Sequence, residues 1–451
     1  MLKTNLKDTN YRAKIVQLKN IRKHSNADKL QCVTIDFQTV ITGMNAKEGD
    51  IYIYFPLECA INKEYLSWSN SFSSPDMNED KTKKGFFDKN GRVRAVRLRG
   101  EPSQGYIIPY TDLFDWVYKE KAQFNAEAVA YDIENLIGTE FDSFNDIIIC
   151  QKYVPKSNKS SSEPKEKRSR NPKISRLVEN QFRLHNDTEN LRKNIHKLEL
   201  EDYISIHYKK HGTSWVVGNI LVNKQLKWYE KLAKKLGLNI VDKEYDYVYS
   251  SRKIVKNEFE TKDNLGYYGE DLWADIKEEI KDKIPKGFTL YGEAVGFTKE
   301  GKAIQKDYDY GCKPFEMKIY VYKISVVNQD GFTIYLDDKQ ISEFCEKYGL
   351  NYKSTFIYYG TVDSLYRKLS ENHIFPLADT WRGNLIGMLE SKYNEKDCYL
   401  CVNKVPEEGI VVRKNSLFSY EAYKLKSFRF LQKETEELDK GELNIEDNVE
   451  V

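Results

Sequence analysis

The sequence predicts an α+β protein, with a small antiparallel β-barrel first and a larger domain of antiparallel sheets and helices after it. Three observations carry this. From Tyr11 to about Tyr110 the chain is a series of short β-rich runs separated by charged or Gly/Asn turns. Near Cys150 the composition shifts to a basic stretch with almost nothing to bury. Beyond it, strand-like runs mix with amphipathic helical patterns. The expected boundaries are residues 1–150 for the barrel, 151–176 for a flexible linker, 177–432 for the second domain and 433–451 for a tail.

In order, the barrel strands are KIVQL, KLQCVTIDF, TVITG, DIYIYFPL, VRAVRLRG and QGYIIPY. Between them SNSFSSPDMNEDKTKKGFFDKNG is polar and turn-rich, and reads as a long exposed loop. KSNKSSSEPKEKRSRNPKISR, residues 156–176, has eight Lys/Arg against two Glu and no aromatics. It buries too little to order itself, so it is a solvated tether or a sequence-independent phosphate contact. In QLKWYEKLAKKLG, Leu226, Tyr229, Leu232 and Leu236 fall at helical spacing, and ISEFCEKYGL and TVDSLYRKL repeat the pattern. Each is expected to be a packing helix. YISIHYK, SWVVGNILV, GFTLYGEAVGF, KIYVYKISVV, GIVVRK and YKLKSF supply the strands. LQKETEELDKGELNIEDNVEV is acidic, hence an expected disordered tail.

Lys+Arg 71 against Asp+Glu 69 leaves a formal charge of +2 over 451 residues, so any affinity for a polyanion must come from clustered charge. No stretch reaches the apolar length of a membrane span, and MLKTNLKDTN lacks an apolar signal core. A soluble monomer of the cytoplasm or another intracellular compartment is expected, with no membrane partner. Seven cysteines spread over the chain do not form a disulfide framework and are expected to be reduced. CYLC, from Cys398 to Cys401, has the spacing of half a zinc site, but it reads as a strand and no second pair lies nearby.

HYKKHGTSWVVG, residues 207–218, sets two lysines before His-Gly-Thr-Ser. Strand alternation through YISIHYKK puts Ser205, His207 and Lys209 on one face and Ile204, Ile206 and Tyr208 on the other. Lys209 therefore emerges on the polar face, and Lys210 and Trp215 are framework. Downstream come SSRK (250–253), LYGEAVG (290–296), IYVYKI (319–324), PEEGIVVRK (406–414) and AYKLKSF (422–428). This order resembles the covalent nucleotidyltransferase superfamily of ligases and capping enzymes. Its marks are a Lys-x-x-Gly nucleophile motif, a Gly-Glu strand, an aromatic strand, Glu-Gly and Lys-x-Lys. His211 in place of the usual Asp is similar to the RNA-ligase branch. FRLHNDTENLRKNIHKL (182–198), AIQKDYDYGCKPFEMKIYVYKI (303–324), HSNADKL (24–30) and LRGEPSQGYIIP (98–109) extend the similarity to the Deinococcus- and Naegleria-type RNA ligases, which place an OB-like domain before the ligase domain.

The resemblance implies ATP and Mg²⁺ or Mn²⁺ as cofactors, and RNA or an RNA-containing nicked duplex as partner. It implies Lys209 as the nucleophile that becomes lysyl-AMP, and Lys424 and Lys426, on one face of their strand, as phosphate-facing cations. A lysine nucleophile splits a difficult transfer into two displacements, and nearby positive charge lowers its pKa so that the neutral amine can attack. Glu408 is implied as a metal-facing carboxylate, and Glu293 as a ribose ligand or second metal contact. Tyr322 is implied to stack on adenine, although it shares a face with Tyr320 by alternation and core packing is its other reading. Arg252 is implied to touch the ribose or the nick end. His211 would donate a hydrogen bond near the α-phosphate, and Gly212 would let the chain turn beneath the nucleotide.

In the barrel, Arg92, Arg94, Arg97 and Arg99 are the candidate nucleic-acid surface, since OB folds track a backbone with Lys/Arg. DNA ligases and mRNA guanylyltransferases share the constellation but carry an OB domain after the last lysine motif. Here 21 residues follow Phe430, too few for a five-stranded barrel of about five residues per strand. A non-catalytic nucleic-acid adapter should have lost one of Lys209, Glu293, Glu408, Lys424 or Lys426, and all five are present.

Overall fold

A computed structural model describes residues 2–5, 9–120, 133–154, 176–185, 187–256, 268–370 and 380–440. The chain forms two units, one of residues 1–156 with 431–441, the other of 157–430 with 442–451. All seven cysteines are free. No helix among the described residues is long and apolar enough to cross a membrane.

In the first unit, Ala13–Gln17, Ile51–Phe55, Tyr106–Pro109 and Glu140–Phe141 form a four-stranded antiparallel sheet. Leu30–Ile35 and Gln38–Gly43 make a tight hairpin, with Asp36 and Phe37 both at positive φ as a two-residue turn requires. Ala95–Leu98 and Glu101–Gln104 make a second. Ile15, Ile53, Phe55, Trp116, Phe141 and Phe144 share one core. Among the described residues the pairings form separate small sheets and do not close into a ring.

The segment expected to be an exposed loop is exposed over most of its length, but Phe72, Asn78 and Phe87 turn inward. Phe72 and Phe87 bridge each other and join that core, and the buried Asn78 amide bonds the backbone of Phe72 and Lys83. Two phenylalanines offset a polar composition because burying each is worth roughly 1.5–3 kcal/mol. Cys150–Lys152 pairs with Cys59–Ile61, so the first residues of the expected linker belong to this unit. Residues 155–175 of that linker lie outside the described residues. The helix Phe428–Asp439 runs into the segment expected to be a disordered tail. Phe428 and Phe430 bury its start, and Asp439 is held by Arg92.

The second unit is built on two five-stranded sheets. One orders Glu189–Asn190, Glu421–Lys426, Gly409–Lys414, Tyr203–Tyr208 and Phe356–Thr361, antiparallel except at the first pair. The other orders Lys243–Ser250, Thr213–Asn223, Phe288–Gly296, Met317–Val327 and Thr333–Tyr335, antiparallel throughout. Thr213–Asn223 is buried along nearly its whole length, as its run of Trp, Val, Ile and Leu requires of a central strand. The helix Leu272–Ile280 covers this sheet through Leu272, Trp273, Ile276 and Ile280.

Asp338–Tyr348 is the helix expected from ISEFCEKYGL; Asp337 caps its start, Gly349 in the left-handed region ends it, and Ile341 and Cys345 pack inward. Val362–Ser370 is the helix expected from TVDSLYRKL, burying Val362, Leu365 and Leu369. The third expected packing helix differs. Trp228–Lys235 forms, but none of its residues is buried. CYLC is a turn closed by the Cys401 N–H donating to the Cys398 carbonyl, not a strand.

Candidate active site

The chain passes from one sheet to the other in four residues, Lys209 to Gly212, between the strand ending at Tyr208 and the strand beginning at Thr213. This crossover carries the two lysines. The Lys209 N–H donates to the Gly409 carbonyl at 2.8 Å, extending the pairing of Tyr203–Tyr208 with Gly409–Lys414 by one residue. That register brings Lys209 Nζ to 2.8 Å from Glu408 Oε1. Glu408 is buried, while the Lys209 side chain keeps 20% exposure and so opens to solvent.

Lys424 and Lys426 lie on the next strand, opposite Val411 and Gly409, and the intervening Leu425 is in the core. Lys426 Nζ stands 4.9 Å above the Phe430 ring. The same sheet face thus presents Lys209, Lys424 and Lys426 with a single strand between the first and the other two. Such a row of cations attracts a polyphosphate.

Glu293 lies on the second sheet, across from Ser214, whose hydroxyl donates to Glu293 Oε2 at 3.1 Å. The glycine before it is needed for packing, since a Cβ at Gly292 would lie 2.2 Å from the Trp215 ring. Gly212 serves the same end: a Cβ there would sit 2.1 Å from the Ala294 carbonyl oxygen. Gln305 Nε2 donates to the Gly212 carbonyl at 2.7 Å. This glycine therefore permits close approach of two strands, where a turn beneath a nucleotide was expected.

Tyr322 occupies a β-bulge. Tyr291 pairs with Lys323 and Gly292 with Val321, so Tyr322 is the extra residue and strict alternation fails there. Tyr320 packs with Val295, Tyr308 and Tyr310, whereas the Tyr322 hydroxyl shares a 2.6 Å hydrogen bond with His185 Nδ1. The expected common face of the two tyrosines does not exist.

Arg252 Nε donates to Asp187 Oδ1 at 2.9 Å. Burial pushes the Asp187 carboxyl up, but Arg252, His185 and Lys424 together hold it below its usual range. His185, Asp187 and Arg252 therefore link the Lys424 strand to Tyr322. Sequence reasoning gave His185 and Asp187 no role, although both lie in FRLHNDTEN, directly ahead of the nucleophile strand. His211 is buried, its ring 5.0 Å from both Tyr308 and Phe430 and edge-on to each, and its N–H donates to the Tyr310 hydroxyl at 2.7 Å. Its ring is set in an aromatic box, where the expectation was a donor to phosphate.

Lys210 turns the opposite way from Lys209. Its Nζ lies 3.9 Å from Glu407 with no hydrogen bond, above the rings of Tyr208, Tyr310 and Tyr399 at 5.1–5.5 Å. Burial pushes Glu407 up to about 8, against the pull of Lys210. Cys398 beside them is drawn down to about 6 by a hydrogen bond from Cys401 and by Lys210, against burial.

Among the described residues no group of three or more His, Cys, Asp or Glu could hold a metal. Glu408 and Glu293 are each buried carboxylates, the donor type that a hard cation takes. Mg²⁺ or Mn²⁺ takes oxygen ligands, commonly one or two carboxylates completed by substrate phosphates and water.

The arginines of the first unit separate by burial. Arg92 is buried between Glu58 at 3.2 Å and Asp439 at 2.6 Å and also donates to the Thr435 carbonyl, so it is structural and cannot meet a nucleic acid. Arg94 pairs with Asp88 at 2.6 Å and Asp439 at 3.3 Å. Arg97 and Arg99 are exposed; Arg97 lies on the hairpin strand, while Arg99 has positive φ in the turn and does not alternate with it.

A family model described as RNA ligase matches residues 205–429. Among solved structures, a Naegleria gruberi RNA ligase mutant with ATP and Mn aligns with a TM-score of 0.55 at 17% identity, covering 93% of this chain and 98% of that one. A second mutant of that ligase, with AMP and Mn, gives the same figures. The Naegleria gruberi RNA ligase with PPi aligns with a TM-score of 0.54 at 16% identity, over 94% of this chain and 98% of that one. No curated protein matches significantly.

Proposed function

Because the chain belongs to the RNA ligase family through residues 205–429, we propose that it is an ATP-dependent RNA ligase acting through a lysyl-AMP intermediate on Lys209. The observation that carries this is the Lys209–Glu408 contact at 2.8 Å, with Lys424 and Lys426 on the strand beside Glu408. The ATP and AMP bound to the Naegleria ligase mutants support the choice of nucleotide.

Lys209 Nζ attacks the α-phosphorus of ATP; the N–P bond forms, the bond to the bridging oxygen breaks, and pyrophosphate leaves. Lys424 and Lys426 offset the charge on the phosphates. In the resting pair Glu408 favours the Lys209 ammonium, so Glu408 must be drawn away before the amine can lose its proton and attack. Glu408 and Glu293 would hold Mg²⁺ or Mn²⁺, which neutralises charge on the triphosphate. Arg252, which Asp187 holds, would orient the ribose, and Tyr322, bonded to His185, the base. AMP then passes to a 5′-phosphate end, and an RNA 3′-OH attacks that phosphate, forming the phosphodiester and expelling AMP.

Sealing of a nick in an RNA-containing duplex is the favoured substrate reading. The first unit, read as an OB-like module, would contribute Arg97 and Arg99 to nucleic-acid contact. Incubation with α-labelled ATP and a divalent metal should give an acid-labile AMP adduct that peptide mapping places on Lys209. An unlabelled protein would sink the proposal, and labelling by GTP in place of ATP would point to capping. Equal sealing of nicks with ribose and deoxyribose 3′ ends would make it a DNA ligase.

A further inference from the structure

The connection between Thr213–Asn223 and Lys243–Ser250 carries a helix, Trp228–Lys235, and a following turn that the fold leaves uncovered. Trp228 is 77% exposed, Leu236 72% and Val241 75%, and Tyr229, Leu232 and Leu238 are exposed as well. Six large apolar side chains on one short excursion make a patch that calls for an occupant.

Helical geometry sorts this surface. At 3.6 residues per turn, Lys231 and Lys235 fall along one stripe and Trp228 and Leu232 along the neighbouring one; the N-cap Lys227 precedes the helix and the C-cap Leu236 follows it. The other two lysines of the segment are neutralised, Lys224 by Glu230 at 2.8 Å and Lys234 by Asp242 at 2.5 Å. Lys227, Lys231 and Lys235 make no ion pair with any described residue. Lys227 Nζ lies 5.8 Å from the Tyr229 ring, and Trp228 and Tyr229 meet edge to face.

We propose that this face binds a single-stranded segment of the RNA substrate, with the three lysines on successive phosphates and a base stacked on Trp228. Uncompensated lysines in a row beside exposed aromatics are the combination by which proteins hold single strands without reading sequence. A protein partner is disfavoured, because protein interfaces are depleted in lysine and this face would bury three. The inference rests on RNA being the substrate, and it adds a binding surface outside the catalytic residues.

The test uses the full chain and a fluorescein-labelled single-stranded oligoribonucleotide, with binding followed by anisotropy over a range of salt. Trp228→Ala should weaken binding by roughly 5- to 150-fold, the range expected for loss of one stacked base. Lys227→Gln, Lys231→Gln and Lys235→Gln together should flatten the dependence of log affinity on log salt by about 2, as three lost phosphate contacts on a single strand predict. AMP labelling without RNA should be unchanged in both variants, which shows that they fold and that the catalytic reading stands. Full RNA affinity in both variants with labelling intact would overturn the surface alone. A wild-type dimer that becomes a monomer in Trp228→Ala, with RNA binding unaltered, would overturn it in favour of a protein interface. Absence of labelling in the wild type would instead overturn the ligase reading.

Discussion

Lys209 and Lys210 are neighbours in sequence, and each meets one of two neighbouring glutamates, yet the two pairs live in opposite surroundings. Lys209 keeps a fifth of its surface and touches Glu408 at hydrogen-bond distance. Lys210 is buried under three tyrosine rings, and its carboxylate partner stands 3.9 Å away. The parity of one strand end produces the difference. A lysine with an open side and a partner that can be drawn off is able to become a nucleophile, whereas an enclosed one can only brace the crossover.

The sharpest way to break this comparison is to exchange the lysines' fates. Lys209→Ala should abolish AMP labelling, a loss beyond about 10³-fold as expected when a covalent nucleophile is removed, while thermal unfolding stays cooperative. Lys210→Met should still label but unfold more easily. Stranding a buried charge costs about 3–5 kcal/mol, but Glu407 is already pushed up to about 8 and is largely protonated at neutral pH. Little charge is then stranded, and the expected loss is about 1–2 kcal/mol near pH 7, the scale of the buried cation–π contacts with Tyr208, Tyr310 and Tyr399 that Met cannot make, measured by denaturant titration. Labelling that survives in Lys209→Ala and vanishes in Lys210→Met would reverse the assignment.

A third lysine extends the contrast. Lys323 is buried with its Nζ 4.0 Å from the Tyr291 ring centre and 4.4 Å from that of Tyr420. Burial, then Arg413 and Arg183, bring it down to about 7. The unfolded chain therefore binds one more proton than the folded chain between pH 7 and about 10.5. That penalty on folding is full below pH 7 and fades as the pH rises to the unfolded value. Lys323→Met should thus stabilise the protein relative to wild type at pH 6–7, by up to a few kcal/mol, since each tenfold loss of proton affinity on folding costs about 1.4 kcal/mol. At pH 10 the gain should be much smaller. A pH-independent difference in melting temperature would show that Lys323 is already partnered.

Gly212→Ala should cost about 1–3 kcal/mol, the usual range for forcing an extra carbon into a packed site. Its Cβ meets backbone oxygen, which cannot swing aside. Because the strain falls on the crossover next to Lys209, the rate of AMP labelling should fall as well. A variant of wild-type stability and rate would show that the two strands are free to separate at this point.

These contrasts separate what the sequence could reveal from what it could not. That Lys209 and Lys210 turn to opposite sides was legible because successive residues of a strand alternate between its faces. Tyr322 was not placed correctly, because a bulge adds one residue without any mark in a run such as KIYVYKIS. The helix Trp228–Lys235 was found, but its period reveals an amphipathic face and not whether anything covers it. Arg92 looked like its neighbours Arg94, Arg97 and Arg99; Glu58, Thr435 and Asp439, all distant in sequence, make it structural. Phe72 and Phe87 were hidden in a polar context because the bridge between them spans a long loop.

The smallest expected effect sets two of those arginines against each other. Arg97 is exposed and donates to the Gly100 carbonyl at 3.0 Å within the same hairpin. Arg97→Gln should lower RNA affinity a few-fold and reduce the salt slope by about 1, with stability unchanged, because one screened phosphate contact is all it can supply. Arg92→Gln should leave the salt slope alone and lower the melting temperature instead, since it strands Glu58 and Asp439 around a buried site. A salt slope that falls in Arg92→Gln and holds in Arg97→Gln would mean that burial does not sort these cations, and the reading of Lys209 against Lys210 would lose its premise.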